Sequence, residues 1–166
     1  MNTATTPTRH AVFVAEAERE RIWFFGGTVG VLVTGDETDQ RYAIVEQHLP
    51  AGTATPLHVH RTDEESFVVL TGEVVAQVGD GAPARIGIGG FFHVPAGMPH
   101  AFRVTGDADA RLLNITTPGH ERFVRAAGDP AGGAGFPPAA PPDMPRLLAA
   151  AETYGTEVLG PPPALD

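Results

Sequence analysis

The stretch that decides the fold is residues 52–72, GTATPLHVHRTDEESFVVLTG. A single residue separates His58 from His60, and Glu65 follows them. Because successive side chains of an extended strand point to opposite faces, the two histidines share one face. Two imidazoles, with a carboxylate arriving from the next strand, are suitable donors for a divalent metal ion. His100, far along the chain in VPAGMPHAF, is the candidate that completes the set.

Two neighbouring carboxylates compete for the acidic position. Residues 61–63 are polar and predict a turn, so the alternation of side chains starts afresh in the strand that follows. That strand, over about residues 65–70, places Glu65 on the same face as Phe67 and Val69, which we expect to point inward. We therefore assign the carboxylate to Glu65 and keep Glu64 as the alternative.

The residues before His100 form a stiff turn. Pro95, Gly97 and Pro99 precede it within PAGMP. Proline restricts φ and glycine permits positive φ, so the backbone that enters His100 is closely specified. A metal ligand benefits from such preorganisation.

The composition predicts one globular domain without a nucleic-acid or membrane partner. The chain has 166 residues, of which 42% are apolar and 19% charged, enough for one domain with its own core. A formal net charge of −9 argues against nucleic acid and anionic membranes, since both attract basic patches. No cysteine is present, which excludes disulfides and thiolate metal sites. No signal peptide or membrane span is evident, so we expect a cytoplasmic protein.

Short β-forming segments recur along the chain, separated by glycine, proline and polar turns. Their spacing is typical of an antiparallel sandwich or barrel. We predict an all-β single domain over residues 1–166, with a loose tail over residues 1–9 and a barrel over about residues 10–117. Besides the His58 and Glu65 strands, the predicted strands cover residues 10–15, 22–25, 28–34, 41–49, 74–78, 84–88, 91–94, 101–105 and 110–116.

Residues 118–166 form an arm rich in alanine, glycine and proline. One short helix is predicted over residues 120–127 and another over residues 144–154, between Asp143 as its N-cap and Gly155 as its stop. The arm either covers the barrel mouth or clasps a second subunit, and the sequence does not distinguish these arrangements.

Two motifs in this chain resemble those of the cupin superfamily. The first motif is Gly-x5-His-x-His-x3-4-Glu-x6-Gly, and the second is Gly-x5-Pro-x-Gly-x2-His-x3-Asn. The matching residues are Gly52, His58, His60, Glu65 and Gly72 for the first, and Gly89, Pro95, Gly97 and His100 for the second. Val104 replaces the final Asn, which is not a metal ligand in the family. The whole chain is similar to small single-domain bacterial cupins of the quercetin 2,3-dioxygenase-like group.

This resemblance implies a jelly-roll cupin barrel with a short C-terminal helical arm. It implies one divalent transition metal ion (nickel, manganese, cobalt, iron, copper or zinc) held by His58, His60, Glu65 and His100. The implied reaction is cleavage of a flavonol such as quercetin by O2, which releases carbon monoxide and a depside. Glu65 would accept the proton of the flavonol hydroxyl, and the family also implies a homodimer.

Apolar side chains near the predicted ligands are expected to hold the flat part of a small aromatic substrate. These are Leu57, Phe67, Val69, Met98 and Phe102. Other conspicuous residues are assigned no part in the site. We expect Trp23, Phe24 and Phe25 in the core or a subunit interface, and His93 at the surface or in an interface. His48 could face either way on its strand, and His10 and His120 receive no role.

Two other classes of function stay open. One is a metal-dependent isomerase, cyclase or hydrolase that acts on a polyketide or sugar without consuming O2. The other is a non-catalytic protein that uses the barrel as a cup for a small molecule.

Overall fold

The computed structural model describes residues 10–133 and 135–164, so the predicted tail over residues 1–9 lies outside the described residues. The described chain is mostly β, with two helices near its C-terminal end. The strands are β1 Arg21–Phe24, β2 Gly27–Val33, β3 Ala43–Leu49, β4 Leu57–His60, β5 Glu65–Thr71, β6 Val74–Val78, β7 Ala84–Ile86, β8 Phe91–Val94, β9 His100–Val104, β10 Ala110–Thr116, β11 Asp129–Pro130 and β12 Thr156–Gly160. The helices are α1 Pro118–Ala127 and α2 Met144–Tyr154.

The strands form two antiparallel sheets. The larger sheet has the order β11-β1-β2-β3-β10-β5-β8, and the smaller has the order β12-β4-β9-β6-β7. Several neighbours, such as β3 and β10 or β4 and β9, are distant in sequence, as in a jelly roll rather than a simple meander. The topology confirms the predicted all-β cupin barrel with a helical C-terminal part. Because β4 and β9 are adjacent in the smaller sheet, the two halves of the predicted metal site come together.

The core lies between the sheets and follows the alternation of their strands. In β5, Glu65, Phe67 and Val69 are buried, while Ser66 and Val68 are half-buried on the other face. The inward face predicted for β5 is therefore observed. The main buried apolar cluster draws on both sheets: Leu49, Phe67, Val69, Val74, Ala76, Val94, Phe102, Val104, Ala110 and Leu112.

The predicted first strand over residues 10–15 is wrong. These residues form no strand, and the Phe13 side chain is 92% exposed. The edge of the larger sheet beside β1 is occupied by β11, which pairs with β1 through Ile22–Pro130 and Trp23–Asp129. A short segment from beyond the barrel thus replaces the N-terminal segment at this edge.

The arm packs on the barrel in the part of the chain that the structure describes. Phe123 and Ala127 of α1 are buried against Ala150 of α2. β12, which was not predicted, follows α2 directly and pairs with β4 at the edge of the smaller sheet. It ends just before Pro161, as expected for an edge strand, because proline lacks the N–H that a ladder needs. Neither helix is long and apolar enough to cross a membrane.

Candidate metal centre and cavity

Three strands bring the four predicted ligands together. His58 and His60 lie on β4, and His100 on β9 is the direct register partner of His58. Glu65, at the start of β5, points at them from the larger sheet, with its Oε2 3.2 Å from His60 Nε2 and 3.1 Å from His100 Nε2. One donor atom from each of the four residues lies within 4.8 Å of the others. This group could hold a single divalent metal ion.

The rings are oriented by hydrogen bonds at their outer nitrogens. His58 Nδ1 lies 2.8 Å from the Pro56 carbonyl, and His100 Nδ1 lies 3.1 Å from the Met98 carbonyl. A carbonyl can only accept, so each of these Nδ1 atoms carries the proton and each Nε2 keeps a free lone pair. His60 Nδ1 lies 3.0 Å from Thr156 Oγ1 of β12. Nε2 is therefore the donor atom that His58 and His100 offer to a metal.

The chemistry of the donor set fits a transition metal. Glu65, His60 and His100 are each 2% exposed, and His60 Nε2 has no aligned hydrogen-bond partner in the structure. Leaving such a buried group unpaired is unfavourable, and a metal ion would remove the penalty. A mixed nitrogen and oxygen set suits zinc, copper, iron or nickel, and it lacks a thiolate.

Glu64, the alternative carboxylate, does not point at the histidines. Its side chain is exposed, and its backbone faces β10 and α1: its carbonyl accepts from Thr116 Oγ1, and its N–H donates to Thr117 Oγ1. The turn at residues 61–63 reset the alternation, as the sequence indicated. The structure brings Glu65 to the histidines and leaves Glu64 outside the group.

The protonation of the centre suits metal binding. Burial, together with the neighbouring His100 and His60, lowers the pKa of His58 to about 3. Burial alone would raise the pKa of Glu65, but the neighbouring imidazoles of His120, His100 and His60 outweigh it and keep this pKa well below its ordinary value. At neutral pH the centre thus presents a neutral His58 beside an ionised Glu65, the forms that bind metals.

A fourth histidine, His120, lies beside this group although the sequence analysis gave it no role. It is 5% exposed on α1, its Nε2 lies 3.1 Å from Glu65 Oε1, and its ring centroid lies 4.8 Å from that of His60. Burial lowers its pKa to about 4, although Glu65 opposes the shift. A signal was present in the sequence: His120 shares helical spacing with Phe123, Val124 and Ala127, the buried face of α1.

Asn114 of β10 is a second contact that the motifs do not contain. It is fully buried, and its Nδ2 donates to Glu65 Oε1 over 2.8 Å. In sequence, Asn114 is an amide that shares strand parity with the apolar Ala110 and Leu112. A polar residue at an inward strand position indicates a buried partner, so this residue could have been found by its parity.

The four residues lie in the wall of a cavity of about 460 Å³. Apart from the histidines and Glu65 it is mostly apolar, and α2 covers one side of it through Met144, Leu147, Leu148 and Ala151. The arm therefore covers the barrel mouth in this chain. A cavity of this size and character is typical of small-molecule sites.

The predicted pocket residues occupy different places. Phe67 and Phe102 line the cavity. Val69 is instead buried in the core, Met98 is 37% exposed against Gly79, and Leu57 has the opposite strand parity to His58. These three are not among the residues that line the cavity within the described chain.

Two aromatic residues that we expected elsewhere line the cavity. Phe24 and Phe25, at the end of β1, face the site rather than only the core. The neighbouring Trp23 has the opposite strand parity to Phe24 and donates its indole N–H to the Gly135 carbonyl over 2.9 Å. The expectation for this pair holds in part: Phe24 packs against the core, and because α2 packs over the hairpin both rings also line the cavity.

Comparison with known proteins agrees with the two motifs. Residues 45–116 match the family model described as "Cupin domain". A quercetin 2,3-dioxygenase of Bacillus subtilis is 31% identical over 117 residues, which are 64% of this chain and 34% of that protein. This chain therefore spans about a third of the length of that relative.

Solved structures share the fold. A protein from Thermotoga maritima, described as a predicted oxalate decarboxylase, superposes with a TM-score of 0.54 at 25% identity, over 65% of this chain and 98% of that chain. A mutant of Bacillus subtilis oxalate decarboxylase also gives a TM-score of 0.54, at 20% identity, over 68% of this chain and 32% of that chain. At the latter identity the likeness concerns the fold alone. Two motifs in register, the jelly-roll topology and the matched family model together identify residues 45–116 as a cupin domain.

Proposed function

We propose that this protein is a metal-dependent dioxygenase that cleaves a flavonol, such as quercetin, with O2 and releases carbon monoxide and a depside. The observation that carries the proposal is the position of His58, His60, Glu65 and His100 in the wall of a largely apolar cavity. A flat aromatic substrate with one acidic hydroxyl matches both features. The relative named quercetin 2,3-dioxygenase supports this substrate class.

Aromatic side chains in the cavity provide surfaces for flat rings. The Phe67 and Phe102 ring centroids lie 5.7 Å apart, and Phe24 and Phe25 lie in the same lining. A volume of about 460 Å³ lies inside the range of roughly 300–1,000 Å³ that small-molecule sites occupy. The walls would bind the aromatic rings, while the polar end receives the hydroxyl.

Glu65 is the group that would accept the hydroxyl proton. Its carboxylate is ionised because its pKa lies well below the ordinary value. A divalent metal bound beside it would supply the Lewis acidity that lowers the pKa of a coordinated hydroxyl. The histidines would hold the metal through Nε2, and the apolar walls exclude water from the deprotonated flavonol.

Oxalate is a less suitable substrate for this cavity. Oxalate is a small dianion, and its burial requires compensating positive charge. Among the described residues that line the cavity there is no arginine, whereas Glu65, Glu152 and Glu157 are present. The likeness to oxalate decarboxylases therefore extends to the fold, and the cavity favours an apolar substrate.

The test is O2 uptake with quercetin by the full chain, purified without a histidine tag and loaded separately with each candidate divalent metal. Carbon monoxide release and formation of the depside should accompany the uptake in equal amounts. Glu65→Gln should lose most of this activity while retaining the fold. Absence of O2 uptake with every metal and with several flavonols would overturn the proposal.

Two further measurements separate the alternatives. Turnover of a polyketide or sugar without O2 consumption would indicate an isomerase, cyclase or hydrolase. Ligand affinity that is unchanged in a correctly folded His58→Ala variant would indicate a non-catalytic binding protein. A cytoplasmic homodimer belongs to the proposal as well, and light scattering of the purified chain tests the homodimer.

A further inference from the structure

We propose that His120 is a positioning residue of the metal centre: with Asn114 it holds Oε1 of Glu65, so that Oε2 alone faces the metal. The inference rests on the metal centre of the proposed function and not on its substrate. It assigns a role in the centre to α1, which lies outside both cupin motifs.

The two carboxylate oxygens of Glu65 have different neighbours. Oε2 faces the two ligand histidines, at 3.2 Å from His60 Nε2 and 3.1 Å from His100 Nε2. Oε1 faces away from them, at 2.8 Å from Asn114 Nδ2 and 3.1 Å from His120 Nε2. An N–H donor on each side of Oε1 would occupy both of its lone pairs. The carboxylate is then fixed with one oxygen for the metal and one for the protein.

The burial of His120 requires a partner for its ring. The side chain is 6% exposed, and neither ring nitrogen has an aligned hydrogen bond within the described structure. An unpaired buried donor costs about 1–3 kcal/mol. Glu65 Oε1 is already within hydrogen-bond distance of Nε2, so a small rotation of the carboxylate or the ring completes the pair. Outer partners of this kind orient metal ligands in many metalloproteins.

The start of α1 is itself locked to the strand that carries Glu65. Thr117 Oγ1 donates to Asp63 Oδ1 over 2.6 Å, and the Thr117 N–H donates to the Glu64 carbonyl. Next to His120, the backbone of Gly119 approaches the same carboxylate so closely that a Cβ there would lie 2.5 Å from Asp63 Oδ2. These contacts fix the position of the start of α1 relative to β5. His120 is therefore held at Glu65 by the fold and not by chance proximity.

The test uses Co(II) as the probe, bound to the full chain freed of other metals. His120→Leu removes the donor at similar volume, and His120→Gln retains an N–H near the position of Nε2. In the Leu variant only Asn114 still holds Oε1, so Oε1 can turn toward the metal, which would raise the coordination number and weaken the visible absorption of Co(II). We expect that loss of absorption together with a roughly 10–100-fold weaker Co(II) affinity, and we expect the Gln variant to restore both.

A second variant and a control complete the design. Asn114→Leu removes the other donor to Oε1 and should change the Co(II) spectrum in the same direction. His93→Gln, at an exposed position on β8, should leave spectrum and affinity unchanged. A wild-type spectrum and affinity in His120→Leu would overturn the proposal. It would also be overturned if His120→Gln failed to restore the wild-type spectrum and affinity, because the imidazole itself would then be a metal ligand. If circular dichroism finds His120→Leu unfolded, Asn114→Leu decides, and a wild-type spectrum there overturns the proposal. None of these outcomes depends on flavonol turnover.

Discussion

His58 and His100 are direct register partners across β4 and β9, and their ring centroids lie 4.1 Å apart. The pairing joins the two motifs of the chain in one ladder. Because the backbone of both strands is held by the smaller sheet, the imidazoles are positioned before any metal arrives. Preorganisation of this kind favours tight binding, since little conformational freedom is lost on association.

Loss of one ligand histidine should therefore remove the metal without removing the fold. We expect His60→Ala and His100→Ala to lower the metal content from near one ion per chain to near zero, while the β-type circular dichroism stays largely intact. The sheets are held by backbone ladders and by the apolar core, which these side chains do not form. Elemental analysis of protein purified without a histidine tag gives the metal content.

His93→Ala is the matched control for this prediction. His93 is exposed on β8, and its Nδ1 lies 2.9 Å from Ser66 Oγ on the outward face of β5. The control should keep full metal content. Retention of stoichiometric metal by both ligand variants would contradict the assigned site.

The hydroxyl of Thr156 should tune the metal affinity from outside the ligand set. Thr156 Oγ1 lies 3.0 Å from His60 Nδ1, and β12 holds it there by pairing with β4. Thr156→Val keeps the shape of the side chain but removes the hydrogen-bond partner. We expect the Kd for the metal to rise by roughly 10–100-fold, as is usual for partners of ligating histidines. Competition with a chelator of known affinity measures this constant.

Thr153→Val provides the comparison for Thr156→Val. Thr153 lies on α2, where its Oγ1 donates to the Ala149 carbonyl over 2.8 Å, remote from the ligand histidines. Equal affinities in the two threonine variants would show that the Thr156 hydroxyl does not orient His60.

Sequence reasoning found the parts of this site that strand alternation governs. The choice of Glu65 over Glu64 followed from one turn and the parity of β5, and the structure buries Glu65 while exposing Glu64. The bounds of α2 followed from Asp143 as N-cap and Gly155 as stop, because both act on the local backbone.

What escaped prediction depends on tertiary docking. His120, Phe24 and Phe25 reach the site because α1 and α2 dock across the barrel mouth, and local patterns do not specify that contact. β12 escaped because its strand character comes from pairing with β4, which lies far away in sequence. Thus the arm, which carries no cupin motif, supplies much of the environment of the motif residues.

The stability of the metal-free protein should fall as the pH decreases below about 6.5. Folded His58 has a pKa of about 3 and folded His120 a pKa of about 4, against an ordinary value of 6.5. Between the folded pKa of each histidine and the ordinary value of 6.5, the unfolded chain binds more protons than the folded one, so acid favours unfolding. Each histidine should lower the free energy of unfolding by about 1 kcal/mol per pH unit in this window. Glu65 adds to the loss only below its ordinary value of 4.5, because its folded pKa is lowered.

Urea unfolding of the metal-free chain at pH values from 7 to 4.5 measures this dependence. The slope should be smaller in His58→Gln, whose amide does not titrate. Exposed His93 gives the control, since His93→Gln leaves the two buried histidines in place. A free energy of unfolding that stays constant over this interval would show that the buried histidines are not kept neutral by the fold.

The volume next to α2 should limit the size of the ligand. Ala151 lines the cavity, whereas Ala149 on the same helix is exposed and does not line it. Ala151→Trp would fill part of the space of about 460 Å³ that the flat substrate needs. We expect the Kd for quercetin, measured by fluorescence quenching without O2, to rise roughly tenfold or more, which corresponds to about 1.4 kcal/mol.

Ala149→Trp is the control, because it adds the same indole to the solvent face and should leave the Kd for quercetin unchanged. Metal content should stay at the wild-type level in both variants, because neither alanine contacts the ligand histidines. Equal quercetin affinity in the two tryptophan variants would mean that the ligand binds outside the cavity that α2 closes.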